Sequence, residues 1–271
     1  MRGREHRQAV RGGERGGVRA ALLAAAARAV AGRAVRGESP VNAPTARLRA
    51  GRIDDHRGER GLGRGLLHTA EVKAPPRPPA AILGRLREET RDLHDAIERG
   101  LDWERRVATP AGYRALLARW YGFHATFEPA AAAVFADAAA EDFFGPRRKL
   151  HLLRRDLFHL GLTAGEVDAL PVCGPPMPMA ARAEALGALY VLEGSTLGGQ
   201  IVARHVEHTL GLDRREGGCA YYASYGRDGI GPMWQAFQGE VAAQSSPATD
   251  DALVRAARWT FDRLRSWLIA P

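Results

Sequence analysis

YVLEGSTLGGQIVARH, residues 190–205, lies inside a longer apolar segment, Ala180 to Leu210, whose apolar side chains recur with helical period. A glycine inside a helix costs about 1 kcal/mol relative to alanine. Gly194, Gly198 and Gly199 fall within six positions, so something must compensate. Gly194 and Gly198 stand at i, i+4 and strip one helix face of side chains, which lets a neighbour approach the backbone closely. Two arrangements use such a face: tight helix–helix packing, and a flat ligand lying along the axis. Spacing alone leaves both open.

The second informative stretch is LREETRDLHDAIE, residues 86–98. Leu83, Leu86, Leu93, Ile97 and Leu101 keep a 3/4 spacing, which predicts an amphipathic helix over 81–100 closed by Gly100. His94 points with its apolar stripe. A histidine there is either a hydrogen-bonded core residue or a neutral imidazole offered to an iron in an apolar cavity. Taken with the glycine-rich helix, it suggests a sandwich: an axial nitrogen on one side of a planar macrocycle and a bare helix face on the other.

The rest of the body reads as helix after helix. Thr109-Pro110 is an N-cap with Pro at N1, opening a helix to about Ala138 that Pro129 should kink or divide. PRRKLHLLRRDLFHLG (146–161) is another amphipathic helix with Gly161 past its end. Thr163 and Glu166 form a capping box for TAGEVDAL, and a Pro-rich loop, 171–178, follows. Residues 229–244 and 248–269 supply two final helices. Alternating strand patterns are absent, so the fold class is all-α: a single-domain multi-helix bundle of seven or eight helices.

Composition confines the basic charge to one end. The 271 residues carry a formal net charge of +8, yet residues 1–79 hold 17 of the 39 Lys+Arg and 7 of the 31 Asp+Glu, leaving 80–271 at −2. Residues 1–79, with 12 Gly, 16 Arg and no Phe, Trp or Tyr, are expected to be a disordered Arg/Gly/Ala-rich extension. A nucleic-acid arm, a transit peptide and a start site assigned too far upstream all compete for it. The acidic residues Glu5, Glu14, Asp54, Asp55 and Glu59 weaken the transit reading, and the lack of aromatics weakens the nucleic-acid one. PPRPP (75–79) closes it as a linker. No run approaches the roughly 18 apolar residues of a membrane helix. Cys173 and Cys219, 46 apart, exclude a disulfide scaffold and a Cys-rich zinc module. P-loop, GxSxG and ExxH patterns are absent, and His205 with His208, at i, i+3, lacks a third ligand.

LREETRDLHDAIE and EGSTLGGQ, in this order and spacing, resemble the proximal- and distal-helix motifs of the heme oxygenase family, over about 80–269. The wording YVLEGSTLGGQ is most similar to bacterial members found beside bacteriophytochromes. The resemblance implies a heme oxygenase-like helical domain over 80–271 that opens heme, both cofactor and substrate, to biliverdin, CO and ferrous iron. It also implies a cytoplasmic protein, an external electron donor (ferredoxin or a flavin reductase) and a bacteriophytochrome as biliverdin acceptor; nucleic acid and membrane are not expected partners. On this reading His94 is the metal ligand, Arg87 stands near a propionate, and Gly194, Gly198 and Gly199 press on the distal face. Ser195 stands where many members carry an aspartate that orders a water, so Gly194 and Ser195 are the expected catalytic positions. The family's second propionate contact has no match, since 228–254 holds no Lys or Arg; Tyr222, Tyr225 and Arg258 are the remaining options. A non-catalytic heme-binding or heme-transfer protein on the same fold is the alternative. A thiaminase-like hydrolase is disfavoured because both cysteines lie in loops.

Overall fold

The computed structural model describes residues 80–175 and 178–269; the expectations for 1–79 lie outside it. Among the described residues there are ten α-helical segments and no strand, which agrees with the all-α reading. They are α1 Ala80–Glu89, α2 Arg91–Leu101, α3 Trp103–Arg106, α4 Pro110–Val134, α5 Ala138–Phe144, α6 Leu150–His159, α7 Ala164–Asp168, α8 Arg182–Leu210, α9 Gly226–Gln244 and α10 Asp250–Ile269.

Several boundaries differ from expectation for local reasons. The first predicted helix is broken at Thr90, whose hydroxyl donates to the Leu86 carbonyl at 2.7 Å, an i−4 back-bond that bends a helix. The ladder itself survives, with Thr90 N to Leu86 O and His94 N to Thr90 O at 3.1 and 3.0 Å. The second half runs past Gly100 to Leu101 and ends on Asp102 at φ 42°. Thr109 caps α4 as read, its side chain accepting from Gly112 N at 3.1 Å, but Pro129 does not divide the helix. Instead α4 stops at Val134, and Asp137 caps a separate α5 by accepting from Ala140 N at 2.9 Å. α6 begins later than 146, after a 3₁₀ turn over Gly145–Arg147. The Thr163–Glu166 capping box and the positive φ of Gly161 (92°) are both present.

α10 organises the bundle. It packs against α8, α2, α1 and α4, while α4 also packs on α6 and α9 also packs on α8 and α1. The α8–α10 crossing requires Gly187: a Cβ there would collide with the Leu253 carbonyl and the Ala256 side chain. One apolar core runs through the bundle from Leu86, Leu116 and Leu117 through Phe135, Phe144, Leu153 and Leu186 to Phe237, Leu253 and Leu268. The crossing sets the position of the glycine-rich stretch, which lies two turns further along α8.

Candidate functional site

Arg87, Thr90 and His94 follow one another at i, i+3, i+7 and share a face of the α1–α2 unit, despite the bend at Thr90. On α8, Tyr190, Gly194 and Gly198 share a face at i, i+4, i+8. Both units rest on α10, and Tyr190 of α8 hydrogen-bonds Thr90 and feels the Arg87 charge. Burial pushes the Tyr190 phenol up from its ordinary value; the Arg87 charge and a hydrogen bond with Thr90 partly oppose that. The structure therefore brings Arg87 and the glycine-bearing face of α8 to one seam. Tyr190 was missed in the sequence reading. Its signal was available: it stands one turn before Gly194 on the bare face, where an apolar residue would do if only packing were needed.

His94 is half-buried. Its ring meets the edge of Phe261 on α10 (centroids 5.9 Å apart, planes at 76°). Nδ1 is 4.0 Å from Asp95 Oδ1 and Nε2 is 3.7 Å from Glu98 Oε1, both beyond hydrogen-bond range. Both ring nitrogens thus remain uncommitted.

The three glycines do different work. A Cβ on Gly194 would meet only the Trp234 ring, at an ordinary 4.0 Å, so nothing in the packing demands glycine there. Gly199 is buried and admits the Tyr222 backbone: a Cβ would stand 2.9 Å from its carbonyl oxygen. Gly198 is half-buried on the Gly194 face. Packing therefore explains Gly199 and gives no reason for Gly194. A Gly194→Ala chain should consequently keep or slightly raise its melting temperature, since alanine is the better helix former by about 1 kcal/mol, while losing heme affinity. Gly199→Ala should melt lower. Thermal unfolding and hemin titration of the two variants check this pair.

Ser195 is exposed, and its hydroxyl donates to the Leu192 carbonyl at 2.7 Å, leaving its oxygen lone pairs to accept from a water. The candidates for a second propionate contact are each engaged elsewhere. Arg258 donates to the Glu89 carbonyl and pairs with Asp92 at 3.2 Å, Tyr222 accepts from Trp120 Nε1 at 2.9 Å, and Tyr225 donates to Glu193 at 2.8 Å.

Beside Gly194 lies a buried polar network that no spacing in the sequence announced. Glu193, 1% exposed, takes Lys149 Nζ at 3.2 Å, Arg147 Nε at 3.6 Å and the Tyr225 hydroxyl. Lys149 also sits over the Tyr225 ring, 4.0 Å from its centroid. Glu128 accepts from the backbone N–H groups of Lys149 and Leu150 at 2.7 and 2.8 Å and faces His124 Nδ1 at 3.0 Å. Burial pushes Glu128 up, but the His124 contact and the two backbone donors outweigh it and hold the carboxyl below its usual range. Burial lowers the Lys149 ammonium, with Glu193 opposing. Two turns further along α8, the Gln200 amide lies 3.5 and 3.4 Å from the Tyr222 and Ser224 carbonyls. Asp156 accepts from Ala220 N and Tyr221 N, each at 2.8 Å. The turn over 219–225 is thereby fastened along the glycine stretch, on the side turned from the Tyr190–Gly194–Gly198 face.

The residues present fit a planar iron macrocycle bearing carboxylates. They offer an imidazole with nitrogens left uncommitted, a helix glycine at 194 that packing does not explain, and an exposed arginine that pairs with no carboxylate among the described residues. Fold and site together define an all-helical protein in which a histidine-bearing helix and a glycine-faced helix rest on a common third. The sequence-family model for heme oxygenase matches residues 80–270. The chain belongs to the heme oxygenase family. It is 37% identical over 116 residues to a heme oxygenase of Xanthomonas campestris pv. campestris (strain 8004); the match spans 41% of this chain and 61% of that relative. Its fold is similar to that of the NO- and CO-bound heme oxygenase from Neisseria meningitidis, with a TM-score of 0.56 and 22% identity, covering 69% of this chain and 89% of that one. A heme-free structure of heme oxygenase 2 from Chlamydomonas reinhardtii gives a TM-score of 0.55 at 19% identity, covering 70% and 96%. Among the described residues no helix is long and apolar enough to cross a membrane.

Proposed function

We propose that this chain binds heme and opens it with O₂ and reducing equivalents to biliverdin, CO and ferrous iron. The observation that carries the reading is the pairing of an uncommitted imidazole at His94 with a face at Gly194 that no packing contact requires. Bound heme supplies both the redox-active iron and the carbon framework that is cleaved. His94 would hold the iron through an imidazole nitrogen, and Glu98, one turn on, is the carboxylate able to orient the ring. Arg87, whose charge acts on the Tyr190 phenol, would receive a propionate. Gly194 and Gly198 would let the α8 backbone lie close against the macrocycle and restrict the room beside it. Gly199 serves them indirectly by seating the Tyr222 turn. Ser195 holds a water through its free lone pairs, a weaker device than a carboxylate because it carries no charge.

Electrons come from a separate donor, a ferredoxin or flavin reductase, and a bacteriophytochrome is the fitting acceptor for the product in the cytoplasm. The test is turnover: residues 80–271 with hemin, O₂ and a reductant should show the heme bands decay as biliverdin absorption rises. Persistent heme bands under those conditions would leave a heme carrier instead.

A further inference from the structure

We propose that Trp234 of α9 is a ligand contact of the glycine-faced site, its indole N–H donating to a carboxylate of the bound macrocycle. The ring is 7% exposed, and its Nε1 has no hydrogen-bond partner. A buried indole N–H ordinarily meets an acceptor, because a donor taken out of water and left unmatched costs free energy. Among the described residues, Tyr113 and Trp234 each bury their one polar side-chain atom without a partner. Tyr113 stacks on Tyr222, on the side turned from the glycine face. Trp234 stands at that face.

Its neighbours place it there. A Cβ on Gly194 would lie 4.0 Å from Cη2 of the indole, and the Tyr190 ring lies 6.0 Å from the Trp234 ring, centroid to centroid. Phe237 stacks on the indole at 5.4 Å. α9 packs on both α1 and α8, the helices that carry Arg87 and Gly194. Arg147 ties the two sides together. Its Nη2 donates to the Met233 carbonyl at 3.2 Å and its Nε lies 3.6 Å from Glu193, so the residues just before Trp234 and Gly194 share one guanidinium.

The same neighbours set the chemistry of the acceptor. Arg87 acts on the Tyr190 phenol and Tyr190 adjoins Trp234, so cation, phenol and indole follow one another along the seam. A group that satisfies the cation and the indole is an oxygen-bearing anion. Residues 228–254 hold no Lys or Arg, so α9 brings no cation to this place. Arg258, Tyr222 and Tyr225 are engaged elsewhere, which leaves Trp234 to take the second propionate. Nε1 is closed to solvent, and only a ligand that enters the bundle reaches it. That the anion is a heme carboxylate rests on the heme-opening reading; the need of the N–H for an acceptor does not.

The test titrates the full heme-free chain and its Trp234→Phe variant with hemin and with hemin dimethyl ester, followed by visible absorption. Phenylalanine keeps an aromatic ring and loses the donor. Hemin affinity should fall about tenfold or more. Affinity for the ester, whose uncharged oxygens accept more weakly, should fall much less. A second measurement needs no variant: in the isotope-labelled parent, the Trp234 indole N–H resonance should move downfield with gallium protoporphyrin and less with its dimethyl ester. Equal hemin affinity in parent and variant, equal losses for hemin and ester, or an indole resonance indifferent to the carboxylates overturns the proposal. A parent that binds hemin yet forms no biliverdin overturns the heme-opening reading alone, and the indole contact is still decided by the titrations.

Discussion

A His94→Ala chain should still take up hemin but with an altered ferric spectrum, and its biliverdin formation should fall by more than about 100-fold. The estimate follows from ligand hierarchy: loss of a group that merely orients a metal ligand costs about 10–100-fold, so loss of the ligand itself costs more. Fold is not at stake. The side chain is 39% exposed, and its packing amounts to one edge contact with Phe261. Added imidazole should enter the vacated space and restore both spectrum and part of the turnover. Absorption spectroscopy with and without imidazole, alongside a melting curve, separates ligand loss from unfolding. An unchanged ferric spectrum would remove His94 from the iron.

The second large effect is on stability. Glu193→Ala should lower the melting temperature by about 10 °C or more. Breaking a buried ion pair from one side costs about 3–5 kcal/mol because the partner charge stays buried. In a domain of 150–250 residues each kcal/mol is worth about 2–4 °C. Here two cations, Arg147 and Lys149, lose the carboxylate that neutralises them, and Tyr225 loses its acceptor. Tyr225 holds φ 67°, a left-handed conformation unusual for a bulky residue, at the start of α9. Releasing its hydroxyl should therefore also loosen that helix start. Glu193→Gln keeps the acceptor for Tyr225 and should fall between parent and alanine. Calorimetric melts of the three chains rank them; equal melting temperatures would show that the network contributes nothing.

The fold class was legible because helix signals here are local. The Thr109-Pro110 start, the Thr163–Glu166 box and the Gly161 stop each need only a few neighbouring residues, and each is found as read. The interruption at Thr90 was not legible, because a threonine hydroxyl bonding four residues back looks, in sequence, like any threonine in a helix. α5 was hidden for a similar reason: Asp137 is a cap only once α4 has stopped. At the site, His94 and the glycine face were legible from periodicity, which identifies faces. What faces across the seam was not. Glu193 meets Lys149 and Arg147 from more than 40 residues further along the chain, and no spacing encodes that meeting. The division of labour between Gly194 and Gly199 was equally invisible, since it depends on where the Tyr222 carbonyl lies.

The turn over 219–225 has no regular secondary structure, yet Asp156 takes two of its N–H groups and Gln200 stands within reach of two of its carbonyls. Its length is consequently as constrained as that of a helix. Adding one residue after Cys219 would shift the register of three tyrosines at once, pulling Tyr222 from Trp120 and Tyr225 from Glu193. Room for insertion during descent ends before Gly217 and Gly218, which are buried against His159, and the freedom of this connection lies in 211–216, where Gly211 holds positive φ at the surface of the bundle.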